Sequence, residues 1–272
     1  MLLATLGCQD WKKKVNKLIA GYHAGEFGHI LMRWQGILRH MAPNYDSVVI
    51  GCEKSMKFLF EDFANEFMFF EDLNIKIHSR NMWMCNQTVY QMPHHKDENY
   101  FKPCKEICLS NGNYHQNFIK WGKKTGRNHY DLLIHARSTT NFETGYRNWP
   151  YESWQLLLDE YQGLKIASVG SKDGAWWIPG TKDLRGIPLK QLSNIMASSD
   201  LFASPSSGPG HFASLCGCKH LIWSDKKDRG LYDNEVRYKE DWNPFETECF
   251  FIPNWQPTVR QVIKEMDKCL YP

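Results

Sequence analysis

The sequence has no apolar run approaching the roughly 18 residues of a membrane-spanning helix, so no transmembrane segment is expected. The apolar opening, Met1 to Cys8, is followed rather than preceded by the basic Lys12-Lys13-Lys14, the reverse of a secretory signal. A cytoplasmic location is the expectation. Cysteine is too sparse for a disulfide scaffold: nine residues, an odd number, fit reduced thiols used as small apolar side chains. Cys104 and Cys108, with His94 and His95 upstream, match no common zinc spacing, although a metal site there stays open. Neither sign of charge dominates, with 33 Lys and Arg against 30 Asp and Glu, a net +3. Internal repeats and low-complexity tracts are missing too, which removes the solenoid and disordered classes.

What is present is ordinary for a globular chain: 42% hydrophobic and 23% charged residues. At about 100–200 residues per domain, 272 residues make one large domain or two small ones. The charge is uneven. Residues 1–128 carry 17 Lys and Arg against 12 Asp and Glu, a net +5, and the remainder 16 against 18, a net −2. A mildly basic half beside a mildly acidic one points to two domains, with an acidic ligand near the first.

Short apolar runs alternate with amphipathic stretches. Strands are expected at Lys17 to His23, Ser47 to Gly51, Glu66 to Phe70 and Ile75 to His78, with helices over Gly28 to Met41 and Met56 to Phe63. The rhythm fades from Asn81 to Arg127 and restarts with a strand at Tyr130 to His135. Pro150 then opens a helix reaching about Tyr161. Strands follow at Leu164 to Gly170, Asp200 to Ala203 and His220 to Trp223, and helices at Leu189 to Ala197, Gly208 to Leu215 and from Thr258 onward. This βαβ order implies an α/β chain with parallel sheets in two Rossmann-like domains, 1–127 and 128–272.

The most informative segment is Ser204-Pro205-Ser206-Ser207-Gly208-Pro209-Gly210-His211. It joins a strand to a helix through hydroxyls and glycines. Small residues admit a close ligand, and a helix N-terminus offers N–H groups and positive potential suited to a phosphate. A plain turn has the same composition, so the spacing alone leaves both readings open.

The run Ser206 to Ala213 resembles the Asp/Asn-Ser-Gly-Pro-Met-His-Leu-Ala motif of the heptosyltransferase-like glycosyltransferases, the family 9-like group. Asp183-Leu184-Arg185-Gly186, Leu189 to Leu192, Ala197 to Asp200 and Ala167 to Gly170 resemble that family's approach to the motif. His135-Ala136-Arg137 followed by Arg147-Asn148-Trp149-Pro150 resembles its strand end and Lys-x-Trp-Pro, and Gly25-Glu26-Phe27-Gly28-His29 its Gly-Asp turn. The resemblance implies the GT-B fold: two Rossmann-like, doubly wound domains with the active site in the cleft between them. The first domain would bind the acceptor and the second a nucleotide-diphosphate sugar, the co-substrate, with the last helix able to pack back on the first.

Carried over by position, Ser207, Gly208 and His211 fall on the phosphate-binding motif, with Arg147 on the family's phosphate-contacting Lys and Arg137 beside it. Glu26 falls on the general base. Gly170, Ser171 and Trp176 would lie on the nucleotide side, and His23 and His29 on the acceptor side. Ser206 departs from the motif's Asp or Asn, and an insertion separates Arg137 from Arg147. No Asp-x-Asp, the metal–diphosphate clamp of the other large glycosyltransferase fold, occurs, so metal-independent, inverting chemistry without a cofactor is the consistent expectation.

On chemistry alone each residue keeps a plainer alternative. Glu26 also reads as a solvated first-turn carboxylate, Arg147 as a surface charge, and Trp176 and Trp177 as a core plug instead of a base platform. The basic and aromatic run from His94 to Arg127 suits an acidic acceptor, such as a phosphorylated glycan, a lipopolysaccharide-type core or a hydroxylated base in viral DNA, but also a solvated linker. A noncatalytic nucleic-acid or phosphoglycan binder and a nucleotide-sugar epimerase are the competing functions.

Overall fold

The structure, a computed structural model, describes residues 15–21, 26–73, 100–101, 115–126, 129–139, 145–228 and 232–271. His23, Cys104, Cys108, His94, His95 and the strand expected at Ile75 to His78 lie outside the described residues. The chain divides into two units, Met1–Asn117 and Phe118–Pro272.

The first unit holds β1 (Val15–Ala20), β2 (Tyr45–Cys52), β3 (Glu66–Phe69) and β4 (Tyr100–Phe101). They form a sheet of order β3-β2-β1-β4, parallel throughout. Leu18, Ile19 and Ala20 of β1 and Val48, Val49 and Ile50 of β2 are all buried. Such unbroken apolar runs are what a parallel sheet covered on both faces requires. Between β1 and β2 run α1 (Phe27–His29), a π-helical turn (Ile30–Trp34) and α2 (Gln35–Met41). Trp34 stacks flat on Phe101, centroids 5.4 Å apart, and so ties this helix to β4. The helix expected over Met56 to Phe63 is instead a 3₁₀ segment, Lys54–Leu59. Buried Arg39 claims its end, donating to Leu59 O at 3.0 Å and to both carboxylate oxygens of Asp62 at 2.9 Å. With its terminal carbonyl and the following turn held by one guanidinium, the segment does not continue as a helix.

The second unit carries β5 (Leu132–Ile134), β6 (Ile166–Ser168), β7 (Lys182–Asp183), β8 (Leu201–Pro205), β9 (His220–Trp223) and, after a short hairpin of β10 (Lys227–Asp228) and β11 (Tyr232–Asp233), β12 (Cys249–Ile252). Its six-stranded sheet runs β12-β9-β8-β5-β6-β7, again all parallel. In order of appearance this is 3-2-1-4-5-6, the doubly wound order. The helices are α3 (Tyr151–Glu160), α4 (Leu189–Ser198), α5 (Gly208–Cys216), the single turn α6 (Asn234–Val236) and α7 (Val259–Leu270). Thr258 and Gln261 close a capping box at the start of α7, which fixes where that helix begins.

One face of this sheet supports a tryptophan cluster. Trp149, Trp154 and Trp223 are buried, with centroids 4.9–5.4 Å apart. Trp154, Leu157 and Leu158 of α3 and Val262, Met266 and Cys269 of α7 pack there at helical spacing. The last helix therefore contributes to the core of its own unit. Residues 118–126, placed by the sequence reading before a boundary at 127, also build onto this unit. Trp121 N–H donates to Leu215 O at 3.0 Å and Thr125 N–H to Ser198 Oγ at 2.8 Å. Gly122, at φ +81°, passes so close to Ser193 that a Cβ would stand 2.2 Å from its carbonyl oxygen. Among the described residues no helix is long and apolar enough to cross a membrane.

Candidate functional site

In a sheet of order 3-2-1-4-5-6 the winding reverses between β5 and β8, and a crevice opens at the carboxyl ends of those strands. The chain leaves β5 at His135 and β8 at Ser206. These exits meet: His135 Nδ1 lies 3.1 Å from Ser207 Oγ, with Ser204 Oγ 3.4 Å from the same hydroxyl. Burial, helped by the Arg137 charge, pushes the His135 imidazole down to about 3. It is therefore neutral at ordinary pH, one nitrogen donating and the other accepting. Gly170, beyond β6, makes room for it. At φ +125° a Cβ there would stand 2.6 Å from His135 Cδ2 and 2.9 Å from the Ala175 Cβ.

Ser207 is the N-cap of α5, extended at φ −163°, and its side chain makes no capping bond because it turns to His135. The N–H groups of this turn are mostly committed. Ser206 N–H donates to Trp223 O at 2.8 Å, Ser207 N–H to the Tyr238 hydroxyl at 3.1 Å, and Gly210 N–H to Ser207 O at 3.1 Å. Pro209 has none. Among the described residues Gly208 N–H makes no hydrogen bond. Gly210 lets α5 approach β9, since a Cβ there would meet Ile222 Cδ1 at 2.7 Å. In the same first turn His211 stacks on Tyr238, centroids 4.4 Å apart and 7° from parallel, with Trp242 edge-on at 4.7 Å.

The charges of two arginines reach the residues that hold this turn. Arg137 donates to Asn148 Oδ1 at 2.7 Å, and Asn148 donates in turn to Thr139 O at 2.8 Å. Arg147 lies over the Trp255 ring at 5.1 Å and the Tyr146 ring at 5.6 Å. Gln256 holds the segment between them, donating to Tyr146 O at 2.7 Å and Asn148 O at 2.9 Å. The Arg137 charge acts on His135, and that of Arg147 reaches Tyr238. Gly170, His135 and Ser207 thus meet at one sheet edge, with Gly208 and His211 in the same helical turn. Ser171 is exposed nearby, its hydroxyl accepting from Gly174 N–H at 3.1 Å. Trp176 packs against the core, edge-on to Tyr151 at 5.6 Å, while its neighbour Trp177 is 43% exposed.

In the first unit, Glu26 is the N-cap of α1, the first described element after β1. It is exposed, its carbonyl accepts from His29 N–H at 2.9 Å, and its carboxylate makes no capping bond. His29 is half-buried in the same turn.

Two residues at the second-unit site escaped the sequence reading. His135 was visible only as a strand end, and Tyr238 carries no local signal because its partners lie 31 and 32 positions away. Among the described residues one group has metal-ligand chemistry, His129, Asp131 and Asp200. It precedes β5 and β8, at the amino edge opposite the candidate site. Burial pushes the thiols of Cys52, Cys218, Cys249 and Cys269 up to about 12, which suits small apolar side chains.

No protein-family model and no curated protein matches the sequence. Solved structures do. E. coli heptosyltransferase WaaC with ADP aligns at TM-score 0.56 and 9% identity, covering 93% of this chain and 99% of that one. The E. coli ADP-heptose lps heptosyltransferase II aligns at TM-score 0.59 and 9% identity, covering 94% and 98%. A glycosyl transferase of family 9 from Veillonella parvula aligns at 0.57 and 11%, covering 94% and 97%. The chain has the fold of these GT-B glycosyltransferases, as the motif resemblance implied.

Proposed function

We propose that the protein is a glycosyltransferase that moves a sugar from a nucleotide-diphosphate donor to an acceptor hydroxyl, with inversion and without a metal. The observation that carries this reading is the His135–Ser207 contact across the switch point, beside a helix N-terminus and within reach of the Arg137 and Arg147 charges. Positive charge, a free N–H and hydroxyls at the carboxyl edge of a doubly wound sheet suit a diphosphate. One of the similar structures binds ADP, and an ADP-sugar is the first donor to test.

In the proposed reaction the acceptor oxygen bonds to the anomeric carbon as the bond from that carbon to the diphosphate oxygen breaks. The leaving nucleoside diphosphate keeps the electron pair, and Arg147, Arg137, Gly208 N–H and His211 stabilise its charge. Glu26 takes the acceptor's proton. No cofactor is needed, and arginine with the helix dipole does the work of a cation. The acceptor is taken as a glycan, a lipopolysaccharide-type core or a hydroxylated base in DNA; residues 1–117 of the first unit carry 13 Lys and Arg against 12 Asp and Glu, so net charge does not choose among them.

A panel of nucleoside diphosphates and nucleotide sugars tests the reading by thermal shift. A ligand at 100 times its dissociation constant adds about 2.7 kcal/mol. With the donor so found, transfer should persist in excess chelator. A panel that shifts nothing refutes the donor reading, and activity lost in chelator and restored by magnesium or manganese refutes the metal-independent step.

A further inference from the structure

Tyr238 lies in a π-helical turn, Arg237–Asp241, that no motif marks. Its side chain is only 2% exposed, yet its hydroxyl touches both serines of the turn: it accepts from Ser207 N–H at 3.1 Å and lies 2.9 Å from Ser206 Oγ. A phenol can do both, because its oxygen accepts while its proton goes to Ser206. Burial pushes this phenol up, so it stays neutral beside any bound anion. The ring of the same residue stacks on His211. One side chain thus touches the residue that begins α5 and the residue one turn along it.

The turn needs such a brace. An N-cap serine ordinarily accepts from the N–H two or three residues on and so fixes its own conformation. Ser207 gives its hydroxyl to His135 instead, and the proline at 209 removes one further N–H. Among the described residues Ser207 N–H would have no acceptor in this part-buried setting without the phenol.

We propose that Tyr238 is a positioning residue of the donor site, its hydroxyl fixing Ser207 and its ring fixing His211 so that both aim at one diphosphate. This inference rests on the donor reading above. Two hydroxyls, with no carboxylate, then stand beside the diphosphate, and the turn is braced without adding negative charge to an anion site.

The test uses the full chain with ADP as probe. Tyr238→Phe keeps the ring and removes the hydroxyl. Its dissociation constant for ADP should rise about tenfold, the worth of one well-placed hydrogen bond, and the Ser207 amide should lose protection in hydrogen exchange. Tyr238→Leu removes the stack as well and should weaken ADP further. A merely structural role predicts lower melting temperatures with ADP affinity unchanged. Unchanged ADP affinity in Tyr238→Phe overturns the proposal, whether or not the Ser207 amide exchanges faster. Wild-type protein that binds neither ADP nor UDP, GDP or CDP overturns the donor reading, and this inference with it.

Discussion

Gly170→Ala is a sharp test of the switch-point geometry, because two independent penalties meet at one atom. At φ +125° a non-glycine residue is strained, at a cost of about 1–3 kcal/mol. The new methyl would also stand 2.6 Å from His135 Cδ2 and 2.9 Å from the Ala175 Cβ, where overpacking adds about 1–3 kcal/mol. The expected destabilisation is therefore about 2–6 kcal/mol, a large share of the about 5–15 kcal/mol that holds a typical domain. Urea unfolding read by tryptophan fluorescence reports on the right unit, since Trp149, Trp154 and Trp223 sit in its core. The functional arm is ADP affinity. If the methyl displaces His135, Ser207 loses its partner and binding weakens about tenfold. The decisive variant is the double Gly170→Ala with His135→Ala. Removing the imidazole relieves one of the two clashes, so the double variant should be more stable than the sum of the singles predicts, by a coupling of about 0.5–3 kcal/mol. Strict additivity would refute the claim that Gly170 exists to seat His135. Wild-type stability in Gly170→Ala alone would refute the backbone argument as well.

The remaining predictions concern charge. Arg147→Ala should cost about 1.5–3 kcal/mol of nucleoside-diphosphate affinity, the worth of a charge-assisted bond, and calorimetry giving wild-type affinity removes Arg147 from the site. Glu26→Gln should lower turnover about 10²–10⁴-fold and leave donor affinity unchanged in the same instrument; near-normal turnover, with His29→Ala inactive, would move the base to the histidine. Lower pH should destabilise the second unit. Burial holds His135 at about 3 and His220 at about 4 in the folded state, against about 6.5 unfolded. The unfolded chain then binds more protons below pH 6.5, so stability is full above that value and falls as the pH drops towards 4, by at most about 1.4 kcal/mol per pH unit per histidine. Urea midpoints at pH 7 and pH 5 check the sign, and His220→Gln should flatten the slope.

The sequence made the second unit legible because its strands are dense apolar runs separated by glycine and proline. Leu132 to Ile134, Leu201 to Ala203 and His220 to Trp223 are all fully buried, and a strand covered on both faces reads as continuous hydrophobicity. β12 escaped because Cys249 to Ile252 is four residues long and follows a polar loop. The false helix over Met56 to Phe63 has an apolar pattern that fits one; what ends it is Arg39, a partner remote in sequence. Basic, polar residues 118–126 look like a linker, but Trp121 and Gly122 seat them on α4 and α5. At the site, the motif residues carry their own local signature in small side chains. His135 and Tyr238 do not, since each acts through a contact formed only once distant segments meet.

These contacts also bear on where the positive character of the site resides. A helix N-terminus is worth about half a unit charge, expressed through its unpaired N–H groups. In α5 those groups are nearly exhausted: Ser207 and Gly210 have partners, Pro209 has none to give, and Gly208 remains. The dipole alone is then a weak holder of a doubly charged leaving group, and full charges must supply the rest. Arg137 and Arg147 fit that need because each is already anchored, one by Asn148 and the other between two aromatic rings. A guanidinium held against aromatic faces keeps its charge while losing little freedom when a ligand arrives. Neutral His135 and neutral Tyr238 fix the serine between them without cancelling that charge. In the proposed reaction the groups that would meet a developing diphosphate charge are held before it forms, which is the condition under which electrostatic stabilisation accelerates a reaction instead of merely tightening binding.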